Sequence, residues 1–166
     1  MRLLFFKIIV FFSLVSCSNI NFLLDTNGGA DFLKNKTLLY FDGWDNLVFK
    51  ETLFLKFGKA EENRFVLTAN VNEKQTKKSV GENQVALKID YRIIVDYNLS
   101  DTDNKCPGIK NRQISNFSFT PKSSGYNFAS DVLLESLYEE AALNNVNSFV
   151  SFANDKLRSY RCLDEN

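Results

Sequence analysis

The side chains able to do chemistry in this chain are few, and their types exclude most reactions. The 166 residues include three cysteines and no histidine. Without an imidazole, the commonest general base near neutral pH and the commonest metal ligand are both missing. Cys106 and Cys162 belong to no CxxC pair and have no histidine to join. Neither a metal centre nor a catalytic thiol is therefore expected. In an oxidising compartment these two could form a disulfide; pairing and two separate thiols both remain open readings. Glu135 and Glu139 are four residues apart and share one helix face. Paired carboxylates do acid–base work when buried, and a solvated helix face accounts for these two. Asp90 and Asp96 lie near Lys88 and Arg92 on the polar side of an alternating segment, which reads as a wet sheet surface. No glycine-rich phosphate loop occurs. Lys74, Lys77 and Lys78 form a small basic cluster in what reads as a loop. Their ammonium groups suit the phosphate oxygens of an anionic lipid or glycolipid; a solvated hairpin is the plainer account. Trp44 and Tyr126, near the ends of predicted elements, read as core edges. No enzyme activity and no cofactor are expected.

The third cysteine carries the most specific motif. Met1 and Arg2 precede an apolar run from Leu3 to Val15, broken only by Lys7 and Ser13. Such a run is shorter than the roughly 20 residues a bilayer span needs, and it fits the apolar part of an export signal. It ends in Leu14-Val15-Ser16-Cys17. A lipoprotein signal peptidase requires a small residue before the cysteine and an aliphatic one three before it. Ser16 and Leu14 meet that requirement, and the Cys17 thiol would take a diacylglycerol before cleavage. The expected organisation is a signal peptide over 1–16, a lipidated cysteine and tether over 17–36, and a single domain over 37–166. One acyl chain binds a membrane only marginally, whereas two or more hold it. Ser18 favours the outer membrane by analogy with enterobacterial sorting, so the domain is expected on its periplasmic face. The chain has 20 basic and 20 acidic residues; losing Arg2 and Lys7 with the signal leaves 18 and 20. There is no basic excess for a nucleic-acid partner.

Further elements must position these groups. The run 37–41 reads as a first strand, closed by an Asp42-Gly43 turn. Asp45 can cap a helix over 46–57 that sets Leu47, Lys50, Phe54 and Phe57 along one side with Leu53 beside them, and Gly58 ends it. Between Arg64 and Asn72, the residues Phe65, Leu67, Ala69 and Val71 share one face. The Lys-rich stretch 73–82 follows as a loop or hairpin end. The clearest period runs over 85–100, with Val85, Leu87, Ile89, Tyr91, Ile93, Val95, Tyr97 and Leu99 on one face. It specifies a strand with one buried and one wet side, on the order of 50 Å long at about 3.3 Å per residue. A turn over 101–108 leads to a strand over 109–120 with Phe117 and Phe119 on one face. A helix over 131–159 follows, with Ser130 as its cap and Leu134, Tyr138, Ala141, Phe149 and Phe152 at helical spacing, interrupted by Asn144, Asn145 and Asn147. The order β-α-β-β-β-α predicts an α+β two-layer sandwich: a mixed or antiparallel sheet of about four strands, with two helices on one face.

Ser124-Gly125-Tyr126-Asn127-Phe128-Ala129-Ser130-Asp131, then Glu135, then Tyr138-Glu139-Glu140-Ala141-Ala142 resemble the C-terminal end of the alphaproteobacterial lipopolysaccharide (LPS)-assembly lipoproteins, the LptE family. The upstream order is similar too: a lipidation motif, a short strand, a helix like 45–57, Phe65-Val66-Leu67, and a long strand ending in Tyr97-Asn98-Leu99-Ser100-Asp101. The resemblance implies an outer-membrane lipoprotein that sits inside the LPS-assembly β-barrel of LptD type as a plug. It also implies assistance in barrel folding and contact with LPS during its insertion, with no catalysis. An auxiliary lipoprotein of an ABC-type or phospholipid transport system is the competing expectation. An enzyme acting on envelope material would instead need a buried carboxylate pair in a cleft.

Overall fold

The computed structural model describes residues 32–43, 47–80, 86–121 and 128–162. Among these residues six elements follow one another: β1 (Thr37–Gly43), α1 (Leu47–Phe57), β2 (Phe65–Val80), β3 (Ala86–Asp101), β4 (Ile109–Phe119) and α2 (Phe128–Ser159). The strands form one sheet in the order β1-β2-β3-β4. β1 runs parallel to β2, with Thr37 opposite Phe65, and the other two pairings are antiparallel. The two helices cover one face of this mixed sheet, so the expected α+β sandwich is the observed architecture.

Alternation along β3 builds the core. Tyr91, Ile93, Val95, Tyr97 and Leu99 are buried beside Phe65, Leu67, Ala69 and Val71 of β2. Phe49, Leu53 and Phe57 of α1, with Ala142, Val146, Phe149, Ala153 and Leu157 of α2, close over them. Tyr97 stacks on Phe149 at 4.1 Å between ring centres. Its hydroxyl donates to Asn145 Oδ1 at 2.8 Å; Asn145 Nδ2 donates to Ser115 Oγ at 3.0 Å, and Ser115 donates to the Ala141 carbonyl at 3.2 Å. Asn145, read from sequence as an interruption, is thus the buried centre of a satisfied polar chain, the condition under which polar groups are tolerated inside.

Several expectations are corrected. The stretch 73–80 is not a loop: β2 continues to Val80 and stays paired with β3 as far as Ala86, while 81 and 82 lie outside the described residues. Pairing with a strongly β-forming partner overrides the weak strand preference of Glu, Lys, Gln and Asn. Helix α1 buries Phe49, Leu53 and Phe57, whereas Leu47 and Phe54 are 67% and 53% exposed. Apolar residues on several sides of this helix made its face ambiguous. Helix α2 begins at Phe128, so Ser130 lies within it rather than capping it. Phe32 and Leu33, assigned from sequence to the tether, belong to the domain: Leu33 is fully buried in the core and Phe32 packs against it.

Two glycines are required where they stand. Gly43 has φ +84 and a Cβ there would strike the Val71 carbonyl, so β1 can lie against β2 to its last residue. Gly58 has φ +71, its N–H donating to the Phe54 carbonyl at 2.8 Å, the left-handed residue that ends α1.

Candidate functional site

The outer face of the sheet, opposite the helices, carries the even-numbered residues of β2, β3 and β4. Their register sets two rows across three strands: Lys74, Arg92 and Asn116 in one, Thr76, Asp90 and Ser118 in the next. Lys78 follows, its ammonium 3.5 Å from Asp90. Ser118 Oγ donates to Asp90 Oδ1 at 2.7 Å, and Arg92 Nε donates to Asn116 Oδ1 at 3.2 Å. The Ser118 hydrogen bond, aided by the Lys78 and Lys88 ammonium groups, holds the Asp90 carboxyl below the usual carboxylate range against a desolvation effect that raises it. The result is a shallow depression lined by Lys74, Thr76, Lys78, Asp90, Arg92 and Ser118. Cations outnumber the single carboxylate there, so it can receive an anionic oxygen group.

Of the three lysines singled out by sequence, the structure brings Lys74 and Lys78 together. Lys77 pairs with Ile89 and belongs to the opposite, helix-side face. A loop reading hides this separation, because only a pleated strand sends alternate side chains apart. Thr76, Asn116 and Ser118 were missed. Extending the β3 period into a hairpin register would have placed them.

Asp96 lies further along the same outer face, held by Arg112 through hydrogen bonds of 2.6 and 2.9 Å that keep its carboxyl below the usual range. Glu135 and Glu139 are exposed on α2. On the helix side, Tyr138 donates to Glu73 Oε2 at 2.7 Å within a cluster of Tyr91, Phe117 and Tyr138 rings. Burial, then the Glu73 hydrogen bond and charge, push the Tyr138 phenol far above its ordinary value.

Cys106 and Cys162 are joined as a disulfide, their Cα atoms 6.0 Å apart. It ties the turn after β3 to the end of α2. The Asp101 carboxylate shapes that turn by accepting from the N–H groups of Asp103, Lys105 and Cys106. Arg64 Nη2 reaches the Cys162 carbonyl at 3.0 Å. Among the described residues no group of three or more metal-ligating side chains is assembled, and no helix is long and apolar enough to cross a membrane. Cys17, Trp44, Asp45 and Tyr126 lie outside the described residues.

A four-stranded mixed sheet in β-α-β-β-β-α order, covered on one face by two helices, defines the fold class of the chain. The same fold occurs in a Caulobacter crescentus CB15 protein named as a lipoprotein, at 21% identity and a TM-score of 0.58, over 80% of this chain and 96% of that one. The rare lipoprotein B of Shewanella oneidensis aligns more loosely, at 12% identity and a TM-score of 0.45, over 69% of this chain and 95% of that one. No protein-family model matches the sequence, and no curated protein does either.

Proposed function

We propose that this chain is an outer-membrane lipoprotein of the LPS translocon. In this reading it plugs the LPS-assembly β-barrel, assists its assembly and helps LPS insert. The observation that carries the reading is a coincidence of two independent features. The Leu14-Val15-Ser16-Cys17 motif calls for export and lipidation, and the domain that follows has the fold of a protein that is itself named as a lipoprotein. The resemblance to the LPS-assembly lipoproteins supplies the particular partner.

The chemistry of the domain supports that role. One sheet face is sealed by helices, and the other carries alternating polar and charged groups. Such a surface suits the polar lumen of a large membrane barrel. Lys74, Lys78 and Arg92 would meet phosphate groups of LPS through charge-assisted hydrogen bonds. The acyl chains on Cys17 would keep the domain at the membrane throughout.

The test is affinity purification of tagged, lipidated protein from detergent-extracted outer membranes, beside a Cys17→Ala variant. A stoichiometric partner of large β-barrel size is the expected result, with less of the Cys17→Ala chain retained in the membrane fraction. Recovery of inner-membrane transporter subunits alone would replace this reading with that of an auxiliary transport lipoprotein, and recovery of nothing would end it.

A further inference from the structure

Among the described residues, the longer stretches of strand edge without a neighbour in the sheet are the outer edge of β1, β2 beyond Val71 where β1 ends, and the free side of β4. Each leaves a row of N–H and C=O groups without a ladder partner, and proteins guard such rows with short length, charge, bulges or cover. β1 has only 7 residues. β2 beyond Val71 carries Glu73, Lys74, Lys77 and Lys78, and its register is irregular between Lys77 and Ser79. β4 has none of these protections over its second half. It is 11 residues long, regular in register, and without charge from Gln113 to Phe119. A neutral, β-forming run of this kind is the type that recruits another strand. Ile114, at its centre, is 48% exposed.

Beside this edge lies a seat. Helix α2 sits over β4, tied down through Ser115 to Ala141 and Asn145. Between helix and edge runs a groove of about 310 Å³ lined by Gln113, Leu137, Glu140, Asn144 and Ser148. Among the described residues no backbone group of another segment bonds to β4 on this side. One more strand could pair with the β4 backbone and lay every second side chain into the groove.

The position of α2 selects the occupant. Two copies paired edge to edge would bring their α2 helices within roughly one strand spacing, about 5 Å, whereas packed helices stand about 8–10 Å apart. A second copy with its helix on the same face is thereby excluded, and the incoming strand must bring no helix on that face. Asn144 and Ser148 call for inward side chains that hydrogen-bond, and Glu140 disfavours a carboxylate beside it. We propose that the open edge of β4 over Ile114–Phe119 is a docking edge for one neutral-to-basic strand of a different chain, added to the sheet beneath α2. The inference does not depend on the translocon reading.

The experiment incorporates a photo-crosslinking phenylalanine analogue at Ile114, at Ser118 or, as a control on the exposed outer face of β3, at Asn98, in the full-length lipidated protein in cells. Adducts are sequenced by mass spectrometry. Adducts are expected from Ile114 and Ser118, with attachment points about four residues apart on one strand-forming segment of the partner, and none from Asn98 on that segment. Adding Ile114→Lys should lower the Ser118 adduct by about tenfold, since charge blocks edge pairing, while the melting temperature is unchanged. Adducts between two copies, scattered attachment points, attachment of Asn98 to the same segment, or no adduct would each overturn the proposal. Should the crosslinked strand belong to something other than an LPS-assembly barrel, the docking edge stands and the translocon reading falls. Should such a barrel co-purify without crosslinks from β4, the reverse holds.

Discussion

The two ends of the long β2–β3 ladder differ in almost every respect except their hydrogen bonding. At the end where β2 begins, Phe65, Leu67, Tyr97, Leu99 and Ile109 are buried under Phe149 and Leu157. The disulfide ties that end, and the Arg64 guanidinium lies 5.0 Å from the Phe32 ring centre and 5.2 Å from that of Phe65. At the other end Lys74, Gln75, Thr76, Lys77 and Lys78 are all exposed, and the packing reduces to Phe119 and the Tyr91, Phe117 and Tyr138 cluster. The contrast teaches that one continuous ladder carries two tasks. Stability is concentrated where side chains are buried, and the polar end is free to display charge.

The largest expected effect tests the buried end. Phe149→Ala removes the stack on Tyr97 and should cost about 3–5 kcal/mol in denaturant unfolding; a loss near that of a surface substitution would dissolve the contrast. Replacing Cys106 and Cys162 together by Ser should cost about 2–4 kcal/mol, because the bond closes a long loop in the unfolded chain. Differential hydrogen exchange should show the new opening at the disulfide end, and protection lost first around Lys74–Lys78 would contradict the assignment. A third effect belongs to the aromatic cluster. The Tyr91, Tyr97 and Tyr138 phenols are all raised, by burial first. Groups shifted this way add stability that is fully present below the unfolded value of about 10 and is lost as pH rises through the folded one. Unfolding measured from neutral to strongly alkaline pH should therefore show falling stability above about pH 10, and Tyr138→Phe should flatten the fall. Equal slopes would mean that the cluster is open to water. The smallest effect is that of Lys74→Ala with Lys78→Ala, within about 0.5 kcal/mol, as for other exposed residues away from packing. A larger loss would show that the polar end is more than a display surface.

Legibility in the sequence followed burial. The β3 period announced itself because one face is apolar from Ile89 to Leu99 and the other is not. The second half of β2 was illegible because neither of its faces is buried, so no alternation marks it as a strand. Helix α1 was recognisable as a helix but not in its orientation, since Leu47, Val48, Phe49, Leu53, Phe54 and Leu55 surround its axis. The candidate site inherited these gaps. Lys74 and Lys78 share a face only because β2 is pleated, and their neighbours Asn116 and Ser118 arrive from a strand some forty residues on. Asn145 looked like a defect in a helix because its partner, the Tyr97 hydroxyl, is 48 residues away.

The parallel pairing of β1 has a mechanical consequence. The first described residues, Phe32 and Leu33, pack at the disulfide end, and Thr37 begins β1 opposite Phe65. Tension applied at Thr37 and directed away from the polar end therefore pulls along the axis of β1. All seven paired positions of β1 against β2 then bear the load at once, as in a lap joint loaded in shear. The same strand peeled from its other terminus would open like a zipper, each pair giving way before the next is loaded.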